Sequence, residues 1–120
     1  MDNNFNNNIP IYIQLLEQIK INIISGKLKS GDKLPSVREL STIYKVNPNT
    51  MQKALGELEN QNLIYTERTN GKYVTNDSNV IHNAKIEYAN KIANEYLCNM
   101  KKIGINELEA IKYLKGKDDI

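Results

Sequence analysis

One cysteine, Cys98, and one histidine, His82, are the chain's whole stock of soft ligands. A single thiol cannot close an intrachain disulfide, and one thiol beside one imidazole falls short of any metal-ligand set, so no metal and no other cofactor is expected. Both residues are read as structural bystanders. No nucleophile stands beside a base and no paired carboxylates mark a cleft, which leaves catalysis without a constellation to rest on. No window approaches about 18 uninterrupted apolar residues, and the opening "MDNNFNNN" lacks the basic and apolar regions of a signal peptide. Neither a membrane span nor export is expected, and the cytoplasm is the expected compartment. Internal repeats are absent as well.

What is present is ordinary in amount and uneven in distribution. Hydrophobic residues make up 40% of the 120, charged residues 25%, and seven of the eight aromatics are tyrosine. A chain of this length forms one domain, or a small domain with an accessory element, and buries roughly two-thirds of its unfolded surface. Net charge is only +2, yet Lys27, Lys29, Lys33, Arg38, Lys45 and Lys53 face only Asp32 and Glu39 between residues 27 and 53, a local +4. From Asp77 onward seven lysines cancel seven acids. A basic patch on a near-neutral chain is the electrostatic footprint of phosphate docking, with a solvated charged face as the plain alternative.

Residues 1–8, with five asparagines, are too polar to pack and are expected to form a flexible lead. After Pro10, the residues Tyr12, Leu15, Leu16, Ile19 and Ile23 recur on one helical face, and Gly26 follows Ser25 as a stop, so a helix is predicted over about residues 11–25. "GKLKSGDKLPS" is a loop whose Leu28 and Leu34 can tuck under a core. Ser36 and Glu39 then form an S-x-x-E capping box, opening a second helix with Val37, Leu40 and Tyr44 inward and Arg38 outward. A break at Lys45 and Val46 leads to Asn47, a good N-cap, and Pro48, suited to a first helical position. In this third helix Met51, Ala54, Leu55 and Leu58 face the core, which turns Asn49, Gln52, Lys53 and Gly56 outward.

"LIYTERTNGKYVT" supplies two runs rich in Ile, Tyr, Thr and Val around Asn70 and Gly71, a strong hairpin signal, with Arg68 and Lys72 near the tip. Helix, helix-turn-helix and hairpin in that order is a winged-helix arrangement. Beyond Asn76 the spacing of Ile81, Ala84, Tyr88, Ile92, Tyr96, Met100 and Ile103 predicts a helix of about five to six turns, ended by Gly104. Asn106 and Glu109 open a last helix whose Leu108, Ile111 and Leu114 share a face before Gly116.

A helix-turn-helix sets its second helix in the DNA major groove with the N-terminal residues nearest the base edges. Here those are Asn47, Asn49, Thr50, Gln52 and Lys53. Asn and Gln can bond adenine bidentately, Thr a base or phosphate, and Lys a guanine or phosphate oxygen. A polar helix face that meets only water is the alternative.

Pro10 to Val74 resembles the DNA-binding domain of the GntR family of bacterial transcription regulators, most specifically in "PIYIQ", "GDKLPSVREL", "VNPNTMQKAL" and "NGKYV". The resemblance implies an α+β winged helix-turn-helix over residues 9–76 and a DNA contact from Arg38 of the "PSVREL" segment. It adds Asn47, Asn49, Thr50 and Gln52 of the recognition helix and Asn70, Gly71 and Lys72 of the wing, and Ser36, Lys53 and Arg68 beside them complete the candidate DNA-contact set. Both arginines of the chain, Arg38 and Arg68, lie in this module, and the planar guanidinium fork is the better ligand for phosphate and guanine. Pro48 and Gln52 stand where many relatives carry basic residues, so no operator sequence transfers.

The stretch after the wing looks like the short YtrA-type subfamily, in which a C-terminal helix pair mediates dimerisation. Residues 77–120 are the corresponding expected dimerisation region, with Ile81, Tyr88, Ile92, Tyr96 and Met100 as the seam, because so broad an apolar stripe needs a partner surface. The stripe packing only on its own winged-helix domain is the alternative. The reading is therefore a homodimeric, non-enzymatic regulator, repressor in type, on a pseudo-palindromic double-stranded operator, and the subfamily implies control of a neighbouring transporter operon. A winged-helix protein-interaction module without DNA binding is the competing reading. The sequence leaves the effector unknown, and a pocket for one would have to lie between the C-terminal helices or at a dimer interface.

Overall fold

The computed structural model describes residues 5–116. Its elements run α1 (Ile11–Ile24), α2 (Val37–Tyr44), α3 (Pro48–Asn60), β1 (Ile64–Glu67), β2 (Gly71–Val74), α4 (Ser78–Lys102) and α5 (Glu107–Lys115). The chain divides into two compact units between Ala84 and Lys85, inside α4.

In the first unit the core is built from Leu15, Ile19 and Ile23 of α1, Leu40 and Tyr44 of α2, and Met51, Ala54, Leu55 and Leu58 of α3, closed by Leu34, Leu63, Ile64 and Val74. The apolar face expected of α3 is its buried face, residue for residue. In α2 the inward position beside Leu40 and Tyr44 is Ser41, while Val37 is only half-buried. Ser41 tolerates burial because its hydroxyl donates to the Val37 carbonyl at 2.6 Å. Leu34 is buried and Leu28 half-buried, so the loop between α1 and α2 does lend a leucine to the core.

Local signals set the helix ends. The Ser36 hydroxyl accepts from the Glu39 N–H at 3.1 Å while the Glu39 carboxylate accepts from the Ser36 N–H at 3.0 Å, which closes the capping box. Lys45 ends α2 in the left-handed region at φ 56°, and the Val46 N–H donates to the Ser41 carbonyl at 3.0 Å, so α2 and α3 meet across a tight turn. At the far end of α3, Asn62 at φ 61° lets the Leu63 N–H return to the Leu58 carbonyl at 3.0 Å.

β1 and β2 pair antiparallel with Ile64 opposite Val74 and Glu67 opposite Gly71. Arg68, Thr69 and Asn70 therefore form a three-residue loop, and Gly71, at φ 109°, sits in a conformation few other residues adopt. The segment before α2 lies along the outer edge of β2, where the Leu34 N–H donates to the Lys72 carbonyl at 2.8 Å and the Val74 N–H to the Asp32 carbonyl at 2.9 Å.

Helix α4 spans 25 residues, longer than the expected five to six turns, because it starts at Ser78 rather than near Ile81. The Asp77 carboxylate accepts from the Asn79 N–H at 3.0 Å and supplies a cap that the apolar spacing does not reveal. In the second unit Asn106 caps α5 by accepting from the Glu109 N–H at 2.9 Å. The Tyr96 hydroxyl donates to the Ala110 carbonyl at 2.6 Å, and Ala110 is the buried residue of α5. Leu108, Ile111 and Leu114 are exposed, Leu108 to 75%.

Of the expected N-terminal lead, residues 1–4 lie outside the described residues. Further along it the Asn6 N–H donates to Gln14 Oε1 at 2.7 Å, and Gln14 Nε2 donates to the carbonyls of Asn6 and Ile9, each at 2.7 Å.

Leu55 has no exposed surface, so truncation leaves a cavity at the α3 contact with the core. Leu55→Ala should lower the unfolding free energy by about 2–5 kcal/mol in a denaturant titration, and a loss below half a kcal/mol would contradict this packing.

Candidate nucleic-acid interface

The rotation of α3 that buries Met51, Ala54, Leu55 and Leu58 turns Asn49, Gln52 and Lys53 to the surface, with Thr50 half-buried at the edge. Among the described residues the side chains of Asn49 and Gln52 carry no hydrogen bond, so both amides present a free donor and a free acceptor. Asn47 differs. Its Oδ1 already accepts from the Asn49 N–H at 2.8 Å as the α3 cap, which leaves its NH₂ as the uncommitted end. A bidentate adenine contact needs both ends, so Asn49 and Gln52 are better placed for it than Asn47.

Lys53 reaches sideways to α1, where its Nζ lies 4.1 Å from the centre of the Tyr12 ring. The two residues line a shallow groove of about 440 Å³ with Ile11, Asn49 and Thr50, which brings the start of α1 beside the polar face of α3. The apolar spacing assigns Tyr12 to the core face of α1 and not to the site, because nothing in the local pattern ties α1 to α3.

On the other flank the start of α2 and the wing enclose a groove of about 390 Å³, lined by Lys33, Ser36, Glu39, Arg68, Asn70 and Lys72 among others. Ser36, Arg68, Asn70, Gly71 and Lys72 are thus brought together as a group, while Arg38 stands exposed outside that lining. Lys33 was counted in the basic stretch but not as a site residue. Its Cε lies 3.4 Å from where a Cβ on Gly71 would sit, so it flanks the wing tip. The signal for it was its place in "GDKLPS", just ahead of the α2 cap.

The carboxylates in this region are held ionised by hydrogen bonds. The Ser36 backbone N–H, then its hydroxyl, and to a lesser degree the charge of Lys33 keep the Glu39 carboxyl below the usual glutamate range. Glu59 is likewise lowered, first by the Thr66 hydroxyl and further by Lys72, against a burial that raises it. Lys72 Nζ lies 3.1 Å from Glu59 Oε1, so this wing cation is paired with α3 rather than free.

A tight helix-turn-helix, a second helix with an unpartnered polar face, and a hairpin wing with cations on the same unit define the winged helix-turn-helix class of nucleic-acid-binding modules. Comparison with known proteins narrows the class. Residues 11–74 match the family described as bacterial regulatory proteins, gntR family. The chain is 33% identical over 115 residues to the uncharacterized HTH-type transcriptional regulator YhcF of Bacillus subtilis, covering 96% of this chain and 95% of that one. It is 49% identical over 69 residues to the HTH-type transcriptional repressor YtrA of Bacillus subtilis, covering 58% and 53%. A GntR family transcriptional regulator from Listeria monocytogenes superposes with a TM-score of 0.85 at 40% identity, covering 92% of this chain and 97% of that one. AraR(DBD) in complex with operator ORX1 superposes with a TM-score of 0.54 at 34% identity, covering 56% and 81%. The chain belongs to the gntR family. It is a transcription regulator with a winged helix-turn-helix and C-terminal helices, not an enzyme.

Among the described residues no group of three metal-ligating side chains occurs, and no helix is long and apolar enough to cross a membrane.

Glu39 also sets a pH dependence. A carboxyl lowered in the folded state contributes stability that is complete above the unfolded pKa and is lost as pH falls through the folded one. Wild type should therefore unfold later than Glu39→Gln at neutral pH, with the difference closing in acid, below the usual glutamate range. Thermal unfolding at a series of pH values checks this, and a difference that is constant with pH would contradict the ionised capping box.

Proposed function

We propose that the chain is a repressor that binds a pseudo-palindromic DNA operator as a homodimer, with the start of α3 in the major groove, α2 on the phosphates and the wing alongside. The observation that carries this reading is the polar face at the start of α3, where Asn49 and Gln52 are exposed and uncommitted opposite a fully packed core face. A helix held so firmly on one side presents its other side as a fixed template. The operator complex of the similar AraR domain supports DNA as the partner, and the repressor YtrA among the relatives supports the sign of regulation. The resemblance to the YtrA type adds a neighbouring transporter operon as the regulated target.

In this reading Ser36, Arg38, Arg68, Asn70, Gly71 and Lys72 meet the backbone or the groove edge, and Asn47, Asn49, Thr50, Gln52 and Lys53 face the bases. One such module reads a short half-site and buries too little surface for selective binding, so two must be held at a fixed spacing. The seam proposed for this is Ile81, Tyr88, Ile92, Tyr96 and Met100. Ile92 is 52% exposed, which leaves it available to a second copy. Tyr96 spends its hydroxyl on Ala110, so the ring is what it can offer.

Arg38 is exposed and outside the core, so Arg38→Ala should fold normally and lose one phosphate contact. The slope of log affinity against log salt for a DNA duplex should then fall by about one unit per chain. An unchanged affinity and slope would remove Arg38 from the interface. Ile92→Glu places an unpaired carboxylate in the proposed seam, and this variant should sediment as a monomer and bind a full operator no better than a half-site. A dimeric Ile92→Glu protein with normal operator affinity would place the interface elsewhere.

A further inference from the structure

The cations of the wing are not equivalent. Arg68, in the tip loop, is exposed and has no hydrogen bond or ion pair among the described residues. Lys72 is only 21% exposed, and its Nζ lies 3.1 Å from Glu59 Oε1 and 2.8 Å from Thr66 Oγ1. The Thr66 hydroxyl donates to the same carboxylate oxygen, so a strand residue, its cross-strand partner and a helix residue share one polar knot. The pleat explains the placement. Thr66 and Lys72 are directly opposite each other and share the face that carries Ile64 and Val74, both buried, so they point toward α3. Glu59 follows Leu58, a fully buried anchor of α3, and its side chain is 34% exposed.

A carboxylate in this position does to Lys72 what a DNA phosphate would do. It accepts hydrogen bonds from the ammonium and neutralises it. A phosphate arriving at the wing must either displace Glu59 from Lys72 or approach a pair with no net charge, and the carboxylate repels it in both cases. Resting on the DNA reading above, we infer that Glu59 is an internal phosphate surrogate that occupies Lys72 and holds the DNA affinity of the wing below what its cations would otherwise supply.

The fold does not depend on this pair. A partly exposed ion pair contributes little to stability. The hairpin is fixed instead by burial of Leu63, Ile64 and Val74 and by backbone bonds, including the Thr75 N–H to the Leu63 carbonyl at 3.0 Å. Glu59→Gln preserves the shape of the side chain and an oxygen for the Thr66 hydroxyl while removing the charge.

A set of charge-removing variants and a salt titration on a short duplex of arbitrary sequence test the inference, because the phosphate contribution does not depend on base sequence. Glu59→Gln should bind about five- to tenfold tighter near 0.1 M salt and steepen the log–log salt slope by about one unit per chain. Lys72→Met in the wild-type background leaves the Glu59 carboxylate unpaired at the wing, so it should bind the duplex more weakly than the double variant, which lacks both charges. The double variant should return to wild-type affinity. Equal unfolding midpoints for Glu59→Gln and wild type confirm that the wing is intact, and Glu59→Ala supplies the same loss of charge if Glu59→Gln folds poorly. Should Glu59→Gln bind no tighter than wild type, or Lys72→Met bind as tightly as the double variant, the surrogate role is overturned while DNA binding stands. A wild type that binds no duplex at any salt overturns the DNA reading itself.

Discussion

Burial of Met51, Ala54, Leu55 and Leu58 fixes the rotation of α3 about its axis, and the rest of the first unit is arranged around that constraint. At 100° per residue, four inward positions leave Asn49, Gln52 and Lys53 no choice but to face outward. The tight turn at Lys45 sets where α3 begins relative to α2, and the Asn47 cap with Pro48 sets which peptide opens it. The return of the Leu63 N–H to the Leu58 carbonyl then starts β1 directly from the end of the same helix. One packed face therefore positions the turn, the polar face of α3 and the wing together, and a fault in that face would misplace all three.

Around this frame the polar residues divide into those already committed and those left free. Ser36 and Glu39 satisfy each other at the start of α2, Asn47 spends its oxygen on α3, Lys53 rests on Tyr12 and Lys72 on Glu59. Asn49, Gln52 and Arg68 are uncommitted among the described residues. The committed groups shape the surface and the free ones have hydrogen bonds to offer, so equal exposure does not mean equal roles.

Much of this was legible in the sequence because the signals are local. The capping box at Ser36, the Asn47 and Pro48 start, and the three-and-four spacing through α3 each lie within a few residues and were read correctly. Asn70 and Gly71 announced a turn, but its length depends on which residues pair across the ladder. Ser41 was missed as an inward position because a hydroxyl looks polar until its bond to the Val37 carbonyl is seen. Lys53 on Tyr12 and Lys72 on Glu59 were invisible for a different reason. Those pairings join separate elements, and no periodicity encodes which distant side chain a flexible lysine will meet. The stripe on α4 was plain, whereas the Asp77 cap that lengthens the helix and the Tyr96 bond to Ala110 emerged only with the three-dimensional arrangement.

The central claim is that two copies of one rigid face read DNA in register. Selection of bound duplexes from a random-sequence pool by the intact chain tests it most directly. The account predicts enrichment of a pseudo-palindrome whose two half-sites keep one spacing set by the dimer, about one helical turn of DNA or a multiple of it between centres. Enrichment of a single unpaired half-site, or of no sequence at all, would contradict it.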